Sequence, residues 1–107
     1  MIHVKPITID TVESYRLGFI VEGHAEFAPH GQDIVCAGVS AIVQAAILGI
    51  EHYTYVDVKK KDGYIKVHIT HDDHTSDAIV KTMLLGLEAL ELQYPDHIKI
   101  KKTGEIM

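Results

Sequence analysis

The sequence predicts an α+β domain, a β-sheet of about five strands carrying two main helices in the order ββαββαβ. Short segments of alternating apolar and polar residues mark the strands, and two of them flank an Asp-Gly turn signal. Two longer apolar stretches, each preceded by a capping residue and closed by Gly or Pro, mark the helices. At 107 residues and 47% hydrophobic, the chain reads as a single domain over residues 1–107, large enough to fold around a core without disulfides or a structural metal.

Residues 2–9 form the first strand, and Pro6, which lacks a ladder donor, implies an edge position or a bulge. Tyr15, Leu17, Phe19 and Val21 alternate with Arg16, Gly18, Ile20 and Glu22, which predicts a second strand ending just before His24. Residues 25–32 are a loop interrupted by Pro29 and Gly31, and Asp33 follows as a helix cap. The stretch 34–48 is Ala-rich and apolar on nearly every face, so this helix is buried on more than one side, with Gly49 as its end. Residues 55–60 and 64–69 are strands three and four around Lys61-Asp62-Gly63, a tight turn in which glycine accepts positive φ. Ser76 or Asp77 caps a second helix, where Ile79, Met83, Leu87, Leu90 and Tyr94 recur at helical spacing before Pro95 stops it. Ile98 and Ile100 form a last short strand whose neighbours Lys99, Lys101 and Lys102 discourage edge pairing with another chain.

The chemistry concentrates between Gly23 and Ser40. Cys36 is the only cysteine, so no intramolecular disulfide can form. With Asp33 as N-cap, it falls in the first helical turn, where unpaired N–H groups and the helix dipole favour a thiolate. His24, twelve residues upstream, supplies an imidazole at a strand end. A thiolate and an imidazolium are what peptide cleavage needs: a nucleophile, a proton for the leaving amine and a base for the water that follows. First-turn N–H groups such as that of Ala37 are candidate donors to an oxyanion. Gly38 permits either close approach of a substrate backbone or tight helix packing, and Ser40 can hydrogen-bond near the thiol. Asp33 acts either as the cap or as a carboxylate that orients His24. The 25–32 loop suggests a gate for substrate, with Gly23 as a hinge candidate and His30 as a solvated loop residue.

Gly23-His24, followed by a loop and Asp33-Ile34-Val35-Cys36-Ala37, resembles the signature of the ribosomal-processing cysteine protease family Prp. The resemblance implies a mixed sheet, a homodimer and a role for Asp33 in activity. It also implies a function: cytoplasmic removal of the N-terminal extension of large-ribosomal-subunit protein twenty-seven, cut after an aromatic-rich motif and before the basic mature N-terminus. Tyr53, Tyr55 and the loop lie nearby in order, without a pattern that locates a pocket for aromatic side chains.

The remaining composition bounds the alternatives. The N-terminus lacks the apolar run of a signal peptide, and no apolar stretch reaches the ~18 residues of a membrane span, so no membrane partner is expected. A lone cysteine suits the cytoplasm. A net charge of −5 argues against direct nucleic-acid binding and suits a basic polypeptide. The eight histidines include a cluster, His68, His71 and His74 with Asp72 and Asp73, but it lies in a polar connection with no cysteine beside it, so no metal or other cofactor is expected. A redox carrier would need a second cysteine. The competing function is a non-catalytic ribosome- or RNA-associated module that uses the lysines at 59–61 and 99–102.

Overall fold

The computed structural model describes residues 1–10, 15–29, 31–69 and 74–101. Alternation in the first two segments produces β1 (Ile2–Asp10) and β2 (Tyr15–Glu22), paired antiparallel with Val4 opposite Val21 and Pro6 opposite Phe19. On the other side of β2 lie β3 (Val56–Lys61) and β4 (Tyr64–Ile69), a hairpin joined through Asp62-Gly63, with β4 antiparallel to β2. β5 (Ile98–Ile100) runs parallel to β1 at the far edge, so the sheet is mixed and ordered β3-β4-β2-β1-β5.

Two helices, α1 (Ile34–Tyr53) and α2 (His74–Gln93), cover one sheet face. Period-two burial in the strands brings Val4, Phe19, Val21, Val67 and Ile69 into one layer. Val35, Val39, Val43 and Ile50 of α1 and Val80, Met83 and Leu87 of α2, at helical spacing, form the facing layer. The helices are antiparallel and closely packed: the Cβ positions of Gly38, Gly49 and Gly86 meet Leu90, Ile79 and Ile42 in turn.

Four expectations need correction. α1 continues through Gly49 to Tyr53, because that glycine is a contact point for Ile79 and not a stop. α2 starts at His74, so Ser76 is a buried first-turn residue instead of a cap. β1 is an interior strand, yet Pro6 is accommodated without a bulge: Ile2 N–H donates to His97 and Lys101 N–H to the Val4 carbonyl, so even-numbered residues face β5, and Pro6 lies past its end. Finally, α1 is long and apolar enough to cross a membrane by length and composition; here its apolar stripe is spent on the sheet and α2.

The register gathers five chain segments at one end of the sheet. Glu22 at the end of β2 lies between His3 of β1 and Tyr64 of β4, while Ile2 lies beside Ile98. The sequences that leave or enter those strands, including residues 23–33 and the Asp62-Gly63 turn, therefore meet at this end.

A glycine sets the closeness of the central strands. A Cβ on Gly18 would overlap the Val67 carbonyl oxygen of β4, a backbone atom that cannot step aside. Gly18→Ala is expected to cost about 1–3 kcal/mol, lowering the melting temperature by at least ~4 °C for a domain of this size. Gly49→Ala, whose Cβ meets only the tip of Ile79, should hold or raise the melting temperature through helix propensity. Thermal unfolding followed by circular dichroism checks both signs.

Candidate active site

Asp33 stands in extended conformation at the N-cap of α1, and its Oδ1 accepts from the N–H groups of Val35 and Cys36, each at 3.0 Å. Its Oδ2 accepts from Phe27 at 2.9 Å and Ala28 at 3.3 Å. The chain reaches that arrangement by turning at Glu26, which adopts φ 58°. One carboxylate thus fixes both the helix start and the loop before it. Partial burial disfavours its ionised form, but the four N–H donors, from Cys36, Phe27, Ala28 and Val35, outweigh that, and the carboxyl is held below the usual aspartate range.

Cys36 is the third residue of α1 and half-buried. Two of the helix-start donors expected to serve an oxyanion are already engaged: Cys36 N–H by the Asp33 side chain and Ala37 N–H by the Asp33 carbonyl at 3.0 Å. The donor aimed at the sulfur comes from the loop, where Ala25 N–H lies 3.4 Å from Cys36 Sγ. Ala25 itself is 1% exposed.

His24 immediately precedes that donor. Its ring rests against the β3–β4 turn, with Nε2 3.8 Å from Asp62 Oδ2. Gly23 N–H donates to the Gly63 carbonyl at 2.8 Å, tying the end of β2 to the same turn. Gly63 has φ 68°, and a Cβ there would lie 2.7 Å from His24 Nε2. The Asp-Gly pair therefore does two jobs: it closes the hairpin and leaves room for the imidazole.

His24, Cys36 and Ser40 line two adjoining cavities, which places the thiol and the imidazole at a shared wall. One, about 580 Å³, is bounded by Glu26, Gly31, Asp33 and Ala37. The other, about 450 Å³, has an apolar floor that includes Val21, Val39, Val43 and Ile65, with Gly23 and Lys61 at its margin. Both fall within the size range of ligand sites.

Of the residues singled out in the sequence, Gly23, His24, Asp33, Cys36, Ala37 and Ser40 meet here. Gly38 does not: it faces Leu90, which is the helix-packing alternative. Asp33 acts as cap and loop anchor, and the carboxylate beside His24 belongs to Asp62. Sequence reasoning missed Ala25, Asp62 and Gly63 as site residues; the Asp-Gly pair was visible only as a turn. Tyr53, at the last residue of α1, stands roughly 25 Å from Cys36 at about 1.5 Å per residue, so it offers no pocket at the thiol. His30, Lys102 and the His71, Asp72 and Asp73 part of the histidine cluster lie outside the described residues. Among the described residues no group of three or more His, Cys, Asp or Glu side chains is arranged to hold a metal.

Comparison with known proteins points the same way. The family model described as cysteine protease Prp matches residues 1–99. The ribosomal processing cysteine protease Prp of Staphylococcus aureus is 34% identical over 102 residues, spanning 88% of this chain and 96% of that one. The Bacillus subtilis protein of the same name is 32% identical over 95 residues, 78% of this chain and 83% of that one. A crystal structure of an essential ribosomal processing protease Prp from S. aureus, in complex with a covalently linked product peptide, matches with a TM-score of 0.81 at 28% identity, covering 94% of this chain and 98% of the other.

Because Asp33 is ionised more readily in the folded protein, its contribution to stability is fully present above the ordinary aspartate value of about 3.9. It is lost as pH falls through the lowered folded value. Asp33→Asn keeps only one acceptor oxygen, so it should melt below wild type at pH 7, with the gap closing as the pH drops below about 3.9. Melting curves of the two proteins across that range check the sign.

Proposed function

This chain belongs to the cysteine protease Prp family, and from that premise we propose that it removes an N-terminal extension from large-ribosomal-subunit protein twenty-seven, with Cys36 as nucleophile and His24 as acid and base. The observation that carries the reading is the convergence of the two side chains on the shared wall of two cavities, with a backbone N–H directed at the sulfur. The product peptide covalently linked to the S. aureus protease supports a peptide substrate for this chain as well.

In this reading the Cys36 thiolate adds to the scissile carbonyl carbon, forming the S–C bond and placing the electron pair on oxygen. The oxyanion collapses as the C–N bond breaks, and the departing amine takes its proton from the His24 imidazolium. His24, now neutral, removes a proton from water as it attacks the thioester. The second tetrahedral species then releases the carboxylic acid and the thiolate. Asp33 contributes by holding the helix start and the loop in register. Ser40, one turn after Cys36, lines both cavities and serves as a polar contact for the substrate backbone.

The acidic side of the cleft, Glu26 and Asp33, complements a basic polypeptide, and the apolar floor of the other cavity suits aromatic side chains on the opposite side of the cut. Within the 25–32 gate the moving part is the stretch after Ala25, which must release the bonds between Asp33 and the N–H groups of Phe27 and Ala28 to open. The protein works in the cytoplasm, where a thiol stays reduced, and as a homodimer. The exposed Leu48, Leu85 and Leu92 on the helical layer support a second copy there.

The test of the reading is the intact mass of full-length protein twenty-seven after incubation with the chain. Wild type should produce one N-terminal truncation, and Cys36→Ala and His24→Ala should lower its rate by at least about 10³-fold. Truncation by none of them, with wild type folded and reduced, would transfer the function to a non-catalytic ribosome-binding role. Gly63→Ala should lower kcat/KM for cleavage at least ~10-fold by displacing the imidazole.

A further inference from the structure

The loop that places Ala25 against the thiol is itself held from the other side of the molecule. His97, in the turn between α2 and β5, has Nδ1 2.9 Å from the Ala25 carbonyl oxygen. That oxygen only accepts, so Nδ1 carries the proton and donates. The imidazole is fixed in turn: His97 N–H donates to the Tyr94 carbonyl at 3.0 Å, and its own carbonyl accepts from Ile2 N–H at 2.9 Å. Phe27 closes over the contact, edge-on to His97 with centroids 5.2 Å apart and to Tyr94 at 5.4 Å.

Ala25 therefore carries two directed hydrogen bonds on opposite sides of its Cα. Its carbonyl is held by His97, and its N–H is directed at Cys36 Sγ. The carbonyl and the N–H lie in the two peptide planes that meet at the Ala25 Cα, so with each plane hydrogen-bonded and the residue buried, rotation about φ and ψ is restrained from both ends. The N–H belongs to the peptide group that joins Ala25 to His24, so an anchor on the far side of the Ala25 Cα also limits where the His24 backbone enters the site.

We propose that His97 is a positioning residue for the active site: through the Ala25 carbonyl it aims the Ala25 N–H at the Cys36 sulfur and sets the entry of His24. The proposal rests on Cys36 being the nucleophile. An N–H on sulfur stabilises the thiolate over the thiol and remains to meet negative charge as it builds on the substrate. His97 lines neither cavity and acts only through this peptide segment.

The test compares wild type, His97→Phe and His97→Asn by the rate at which iodoacetamide alkylates Cys36 across pH, a readout that needs no protein substrate. His97→Phe keeps a ring against Phe27 but cannot donate; His97→Asn restores an N–H near the Nδ1 position. The expected result is that His97→Phe moves the pH midpoint of alkylation upward and lowers the rate about three- to tenfold below that midpoint, with kcat for peptide cleavage falling in parallel and KM unchanged. His97→Asn should recover most of the loss. Unchanged alkylation in His97→Phe, or equal loss in both variants, overturns the proposal. If His97→Phe does not fold, the ring nitrogen shifts of wild-type His97 decide: a proton on Nδ1 at neutral pH is required, and a proton on Nε2 alone overturns it. The underlying reading fails separately, if wild type is alkylated normally yet cleaves no peptide in a Cys36-dependent way.

Discussion

Four backbone N–H groups converge on the Asp33 carboxylate, two from the first turn of α1 and two from the loop that follows β2. Those two segments carry the Cys36 thiol and, a few residues upstream, the His24 imidazole. Without a shared acceptor they would be separate ends of secondary structure, each free to fray. The charge makes the bonds strong, and their number holds the carboxyl ionised below the usual aspartate range. The short spacing from Asp33 to Cys36 matters because it puts the thiol at the third helical position, on the turn that Asp33 caps.

The sheet provides a second level of constraint. Register brings the ends of β1, β2 and β4 and the start of β5 to a single edge of the layer. Gly18 allows β2 and β4 to approach closely, and the glycines of the two helices let α2 lie tightly against α1. A helix anchored on its buried face by Val35, Val39 and Val43 gives Cys36 a rigid base. Side chains placed on such elements vary little in position.

The two sides of the site are built differently. Cys36 is held by helix packing and a cap. His24 is exposed by 55% and is located by its neighbours: Gly63 beneath the ring, Asp62 beside Nε2, and the Gly23 N–H on the turn. An exposed pair such as His24 and Asp62 contributes little to stability, so its value lies in ring orientation. The loop between the two residues is stitched at Asp33 and again at His97, from opposite sides.

Much of this was legible in the sequence because it depends on local chemistry. Alternation from Leu17 to Val21, the Asp-Gly turn, the stop at Pro95 and the Asp33 cap three residues before Cys36 are short-range patterns, and each appears where expected. The limits of the helices were less legible. Gly49 and Ser76 carry the chemistry of helix ends, but packing against α2 and burial in the core outweighed that propensity. What no pattern in the chain contains is contact between distant segments: the turn glycine under His24, the Ala25 N–H on sulfur, and His97 on the Ala25 carbonyl, which joins residues separated by 72 positions. The sequence by itself determined the elements, the cap and the placement of the lone thiol in the first helical turn. Only tertiary structure decided which carboxylate stands beside the imidazole and which donor meets the thiol, because those pairings are set by strand register and loop closure rather than by spacing.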